Sequence, residues 1–307
     1  MKIEAGLIRQ PNLSIKENYS MTYLYKYRSF EPNTLRMLCE SEVYFSDPSI
    51  FNDPLECSPT VIVDVSLDDL EKLYCKIIGE DFGRFDLSSF RQNSDENGAY
   101  RVSDDFYRDV IAGAIKSQLD IRIKKNQGVL SLAGQWNSPL MWSHYADEHK
   151  GICIEYDASL SVCDPPKRVD YEGERGILAS EIISWVFNDS TSAKERIEQK
   201  YFYTKANQWK YEEEWRYIQN SQGRQQAPFH IAGIYFGMRC ERSVASSIVR
   251  LLRDSTPKLN FYRVSPNPNS FELVRTELDD SELDDYYKPT QSAALVFGKP
   301  IKHPDLV

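Results

Sequence analysis

Alternation of apolar and polar positions marks the first strands. Thr22–Phe30 puts Tyr23, Tyr25 and Tyr27 on one face and Leu24, Lys26 and Arg28 on the other, the two-residue period of a strand. Val43–Ser46, Gly128–Ala133, Ile152–Tyr156, Ile231–Gly237 and Lys258–Val264 read as further strands. A helical period appears at Leu67, Leu70, Leu73, Tyr74, Ile77 and Ile78, opened by Ser66 as N-cap with Asp69 three residues on. A second helix is expected from Ser103 to about Lys125, with Phe106, Val110, Ile111 and Ala114 facing inward. Asn33 is expected to cap a short helix carrying Leu35 and Leu38. Ser138-Pro139 opens a helix over 140–149 that Gly151 closes. Helices also follow over 178–187, 192–203 and 244–253, the last with Ile248, Leu251 and Leu252 inward.

This order predicts an α+β fold: a central, mostly antiparallel mixed sheet with flanking and inserted helices. Residues 1–20 read as an N-terminal arm. Residues 21–265 read as a single domain with a helical insertion at about 66–126, and 266–307 as an acidic, polar C-terminal tail.

The densest chemistry lies in Gln208–Ile218. As a strand, it carries Glu212, Glu214, Arg216 and Ile218 on one face and Tyr211, Glu213, Trp215 and Tyr217 on the other. An arginine beside two carboxylates either neutralises them or holds one poised for chemistry. A salt-bridged solvent face is the plainer reading of the same spacing. The loop from Asp47 to Glu56 has two prolines, Asn52, Asp53 and Glu56. It is a fixed turn whose polar side chains either bond their own backbone or line a site.

Composition narrows the class. Of 307 residues, 41% are hydrophobic and 27% charged, as in a soluble globular chain. The 19 tyrosines suit strands and pockets. A net charge of −9 argues against a protein whose main task is gripping nucleic-acid backbones, although a local basic patch stays open. Six cysteines without a C-x-x-C pair suggest reduced thiols rather than a zinc knuckle. No stretch approaches the length of a membrane span and no signal pattern opens the chain, so a cytoplasmic protein is expected. His144 and His149 stand five apart, off the four-residue spacing of a helical metal pair, so no metal ligands are assigned.

Three stretches carry a resemblance: Leu24-Tyr-Lys-Tyr with Phe51-Asn-Asp-Pro-Leu-Glu56, Met141-Trp-Ser-His-Tyr-Ala with His149-Lys-Gly-Ile, and Lys205 with Trp209-Lys-Tyr-Glu-Glu-Glu-Trp-Arg216. Together they resemble a widespread bacterial family known only as a domain of unknown function. More distantly, the order of polar features is similar to the ADP-ribosyltransferase superfamily. There an Arg or His on the first core strand, a Ser or Tyr on a middle strand and a glutamate on a later strand, which in one large class ends a Glu-x-Glu motif, handle NAD. That likeness implies an ADP-ribosyltransferase-like sheet with NAD as substrate. Lys26 or Arg28 would hold ribose or phosphate, Ser131 would support the nicotinamide pocket, Glu214 would be the catalytic carboxylate and Glu212 its partner facing the acceptor. Arg216 would stand beside them, and Tyr27, Trp142 or Tyr145 would stack on the nicotinamide. Ser131 lies between Leu130 and Leu132, where one large class of the superfamily has Ser-Thr-Ser.

Two other readings fit the residues. Asp53, Glu56, His144 and Glu214 would serve a metal-dependent hydrolase or nuclease of a defence system. The same cluster with Asn52 would serve a non-catalytic module that senses a nucleotide-like molecule. The sequence leaves the acceptor macromolecule open, nucleic acid included, and gives no reason to invoke a membrane. A role in phage defence or as a toxin is suggested only by the company such families keep.

Overall fold

The computed structural model describes residues 23–79, 103–160, 165–255 and 257–287. The expected N-terminal arm and residues 288–307 lie outside them, as does most of the polar stretch between the two inserted helices.

In chain order the strands are β1 (Tyr23–Arg28), β2 (Glu42–Phe45), β3 (Thr60–Ile62), β4 (Gly128–Ala133), β5 (Ile152–Asp157), β6 (Lys167–Arg168), β7 (Gly176–Leu178), β8 (Glu214–Gln219), β9 (Gly223–Gln226), β10 (His230–Phe236), β11 (Asn260–Pro266) and β12 (Leu273–Glu277). The helices are α1 (Pro32–Glu40), α2 (Leu67–Ile78), α3 (Asp104–Lys124), α4 (Pro139–Tyr145), α5 (Ala179–Asn188), α6 (Thr191–Phe202), α7 (Arg242–Leu252) and α8 (Asp280–Tyr287). Eight strands form one mixed sheet in the order β12-β11-β10-β5-β1-β4-β8-β6. Neighbours are antiparallel except β10 and β11. The fold is α+β, as the pattern predicts.

The sheet is covered on both faces. Leu24, Leu130, Ile154, Trp215 and Ile234 pack beneath α1 and α7 through Met37, Leu38, Ile248 and Leu252. On the other face Tyr25, Tyr27, Cys153 and Tyr235 pack with Met141 and Trp142 of α4. Beyond them Val129 meets a helical layer built from α2, α3, α5 and α6.

One place in the sheet is not continuous. β1 pairs with β5 at six positions and β4 pairs with β8 at six, but β1 meets β4 at the single pair Tyr25 and Ala133. The cause lies in what occupies the rest of the β4 edge. Ser46, just past β2, exchanges both backbone hydrogen bonds with Val129, each at 2.9 Å. The Lys26 ammonium donates to the Ser131 carbonyl at 2.6 Å. A side chain and a neighbouring segment therefore satisfy backbone groups that β1 would otherwise take, and the strands splay apart.

Several local expectations are corrected. α4 stops at Tyr145, and Asp147, Glu148 and His149 follow with left-handed φ of 45°, 52° and 70°. The helix expected over 140–149 therefore ends four residues early. Gly151 is required here by contact rather than by φ: a Cβ would lie 2.2 Å from the Arg28 carbonyl oxygen. Asn33 sits inside α1 instead of capping it, and its side chain accepts from Arg224 at 3.1 Å. The buried face of α3 is Tyr107, Ile111, Ile115 and Leu119, a four-residue ridge, while Phe106 is exposed. Leu251 is exposed on α7. The acidic stretch read as part of a tail instead contributes β12 and α8, because Leu273, Leu278 and Leu283 are buried.

Candidate functional site

The polar cluster lies on the sheet face opposite Trp215 and Tyr217. Residues Asn207–Glu212 form a 3-10 turn, Glu213 takes a left-handed φ of 44°, and β8 begins only at Glu214. Glu212 thus precedes the strand rather than lying on it, yet its carboxylate still reaches the same spot. The predicted alternation holds for Glu214 and Arg216 against Trp215 and Tyr217. The predicted solvent face does not, because Glu212 and Glu214 are 4% exposed and Arg216 is 0% exposed.

Arg216 ties the cluster together. Its Nε and one terminal nitrogen grip both oxygens of Glu214 at 2.8 Å each, a bidentate fork. The same nitrogen reaches Glu56, and the other donates to the Phe202 carbonyl at 2.8 Å. Lys205 is the second cation, 2.6 Å from Glu212, 3.0 Å from Glu214 and 3.4 Å from Glu56. Tyr145 donates to the other oxygen of Glu212 at 2.7 Å, and Tyr171 fixes the Glu214 backbone N–H at 2.8 Å. Three carboxylates thus share two cations in a nearly dry space. This satisfies the rule that buried charges be paired and hydrogen-bonded.

Protonation follows the geometry. Burial pushes Glu214 up, but Arg216 and Lys205 outweigh it and hold the carboxyl well below the usual carboxylate range. In Glu56 burial prevails over the same two cations, and its pKa is raised. Environments that push two neighbouring carboxyls in opposite directions suit one to stay an anion and the other to hold a proton. Burial raises the Tyr145 phenol, and its hydrogen bond to Glu212 adds to this.

The cluster forms one wall of a cleft of about 380 Å³ that opens at the β1–β4 split. Lys26, Arg28, Ser131, Tyr27, Tyr145, Asn52, Asp53, Glu56, Glu212 and Glu214 all line it. Residues more than 150 positions apart in the chain thereby converge on one concavity. Asp53 does two things at once: one oxygen accepts from the Leu55 N–H at 2.8 Å, and the other from Trp209 Nε1 at 3.0 Å. It therefore fastens the loop to the turn before β8. Arg216 lies behind the cleft wall. Two expected residues are elsewhere. Trp142 is fully buried in the core and donates to the Trp136 carbonyl at 2.7 Å. His144 is exposed, with Tyr145 and Tyr211 beside its ring. Lys205 belongs to one of the three resembling stretches, yet the sequence assigns it no role. Nothing in its local pattern shows that a turn carries it onto three glutamates.

Among the described residues no group of three or more His, Cys, Asp and Glu side chains is placed to hold a metal ion. Ammonium and guanidinium groups stand among the carboxylates instead.

Lys26, like Arg28, is a β1 cation that lines the cleft. Burial lowers its pKa from 10.5 to about 8, helped by Arg28 and opposed by Glu214 and Glu212. Between those pH values the unfolded chain keeps a proton that the folded Lys26 has released, so this group's contribution to folding rises with pH across the window. In Lys26→Met that rise is absent. Urea unfolding at pH 8 and pH 9.5 should show the wild type gaining relative to the variant, and an unchanged difference would remove the assignment.

Residues 141–217, about a quarter of the chain, match the model of a family described as a protein of unknown function, DUF2971. That span holds the Met141–Ala146 stretch, Lys205 and all of Trp209–Arg216. No curated protein matches the chain, and no solved structure matches it. Among the described residues no helix is long and apolar enough to cross a membrane.

Proposed function

We propose that this protein is an ADP-ribosyltransferase-like enzyme that cleaves NAD between nicotinamide and ribose, with the ligand entering at the β1–β4 split. One observation carries the reading: Lys26 of β1, Ser131 of β4 and Glu214 of β8 come from three separate strands onto one cleft. Breaking the glycosidic bond sends its electron pair to nicotinamide and leaves positive charge on the ribose, whose carbon then bonds to a nucleophile of the acceptor, or to water, as that nucleophile gives up its proton. Glu214, held as an anion, stabilises that charge electrostatically. Lys26 and Arg28 supply the cationic end for phosphate, and Tyr27 and Tyr145 offer aromatic surface to the leaving ring. A cleft of about 380 Å³ is of a size to take a nucleotide-like ligand.

The test is release of free nicotinamide from NAD by the wild type and by Glu214→Gln. The variant should keep its fold, since it leaves two carboxylates against two cations. It should lose turnover tenfold or more, with circular dichroism and melting temperature as controls. Retained turnover in the variant would sink the role of Glu214. Absence of NAD binding in a thermal-shift titration to millimolar concentration would sink the NAD reading.

A second reading has its own support. Lys205 or Arg216 already holds every carboxylate of the cluster, which suits a non-catalytic nucleotide sensor. In that case NAD or a related nucleotide binds, no nicotinamide is released, and Glu214→Gln changes affinity alone.

A further inference from the structure

On the other side of Arg28 lies a second concavity that the reading of the cleft does not use. It has a volume of about 440 Å³ and is formed by α1 and the outer face of the β2–β9 ribbon. Its charged lining is Arg28, Arg36 and Arg224 against one carboxylate, Glu42. In a chain of net charge −9 that local excess of positive charge is the reverse of the overall balance. The three arginines are 8 and 188 positions apart in sequence, and only the fold brings them together. Tyr44, directly across the ribbon from Arg224, presents its ring to solvent at 51% exposure. Arg36 is paired to Glu42 at 2.8 Å and Arg28 to Glu31 at 2.9 Å. The Arg224 guanidinium donates to the neutral amide of Asn33 at 3.1 Å.

We propose that this groove is a subsite for a nucleotide unit, its phosphate set against Arg28, Arg36 and Arg224 and its base laid on Tyr44. Guanidinium groups suit phosphate because their forks match its oxygens. An exposed tyrosine beside them supplies the face on which a base of any sequence can stack. Arg28 lines both concavities, so a ligand with one phosphate at Arg28 spans them. The proposal deepens the reading of the cleft as a nucleotide site and rests on it for that continuity. The chemistry is common to two sources: a free nucleotide, or one nucleotide of a single strand whose neighbour enters the cleft.

The experiment measures binding of AMP, NAD and a fluorescein-labelled single-stranded RNA decamer to the full chain. The proteins compared are wild type, Arg36→Gln/Arg224→Gln, Tyr44→Ala and the cleft variant Lys26→Met. The double variant and Tyr44→Ala should each weaken at least one probe tenfold or more while the melting temperature stays near the wild-type value. The RNA arm should also show a shallower dependence on salt in the double variant. Weakening confined to AMP and NAD identifies a free nucleotide, and weakening confined to the decamer identifies a strand. Wild-type binding that neither groove variant alters overturns the subsite and leaves the cleft standing. Weakening by the groove variants alone, with Lys26→Met unaffected and no nicotinamide released, supports the groove and counts against the cleft. No binding of any probe by the wild type overturns both.

Discussion

Replacing Arg216 by methionine is expected to cost about 3–5 kcal/mol of folding stability, the range for removing one partner of a buried ion pair. The side chain is 0% exposed and holds Glu214 by both oxygens and Glu56 by one. With Arg216 gone, Lys205 alone would face three buried carboxylates. Two of them would have to take protons or draw in water from the cleft they line. The attraction between the charges is not what the variant measures. It measures the desolvation left uncompensated, so adding Glu214→Gln to Arg216→Met should return part of the loss. Chemical denaturation of wild type, single and double variants reads this directly. A cost below about 1 kcal/mol for the single variant would mean that water reaches the cluster freely.

Trp142→Ala should fall in the same range, about 3–5 kcal/mol, for a different reason. Trp142 was expected to stack on a ligand but is a fully buried core residue. Its ring meets Tyr27 edge-on at 5.3 Å and lies parallel to the His149 ring at 6.2 Å. Truncation opens a large cavity and orphans the Trp136 carbonyl. Trp142→Phe keeps much of the apolar volume and loses mainly the hydrogen bond, a loss of about 1 kcal/mol. Urea midpoints for the two variants should separate accordingly. Near-equal midpoints would show that the hydrogen bond, not the packing, is what Trp142 contributes. Because Tyr27 also lines the cleft, the alanine variant should weaken NAD-dependent activity if the proposed function holds.

What the sequence made legible was periodic. The face shared by Glu214 and Arg216, and the opposite face of Trp215 and Tyr217, follow from a strand's two-residue repeat. Ser66, Ser103 and Ser138 announce their helices by accepting from the N–H three residues on. What stayed hidden had no local signal. Glu56 and Arg216 lie 160 residues apart, and Lys205 finds Glu214 only because a 3-10 turn and a left-handed Glu213 intervene. The early end of α4 rests on three successive left-handed residues, none of them glycine, in a stretch whose composition favours helix. Trp142 and His144 were placed by motif, which says that residues matter without saying whether they pack or react. The groove of Arg28, Arg36 and Arg224 was invisible for the opposite reason: net charge averages over the whole surface and cancels a local excess.

The single rung that joins β1 to β4 has a mechanical meaning. A ladder of six pairs resists shear along its whole length, whereas two ladders meeting at one rung form a seam. On either side of the seam the adjoining ladders are longer, six pairs for β1 with β5 and six for β4 with β8, and Lys26 spans the gap between them. The Lys26 link acts as a tether that sets how wide the wedge stands. Drawing that ammonium from the Ser131 carbonyl to an anion would loosen the tether at the moment of occupancy. A ligand at the split would thus meet, among the described strands of the sheet, the one junction held by a single backbone pair.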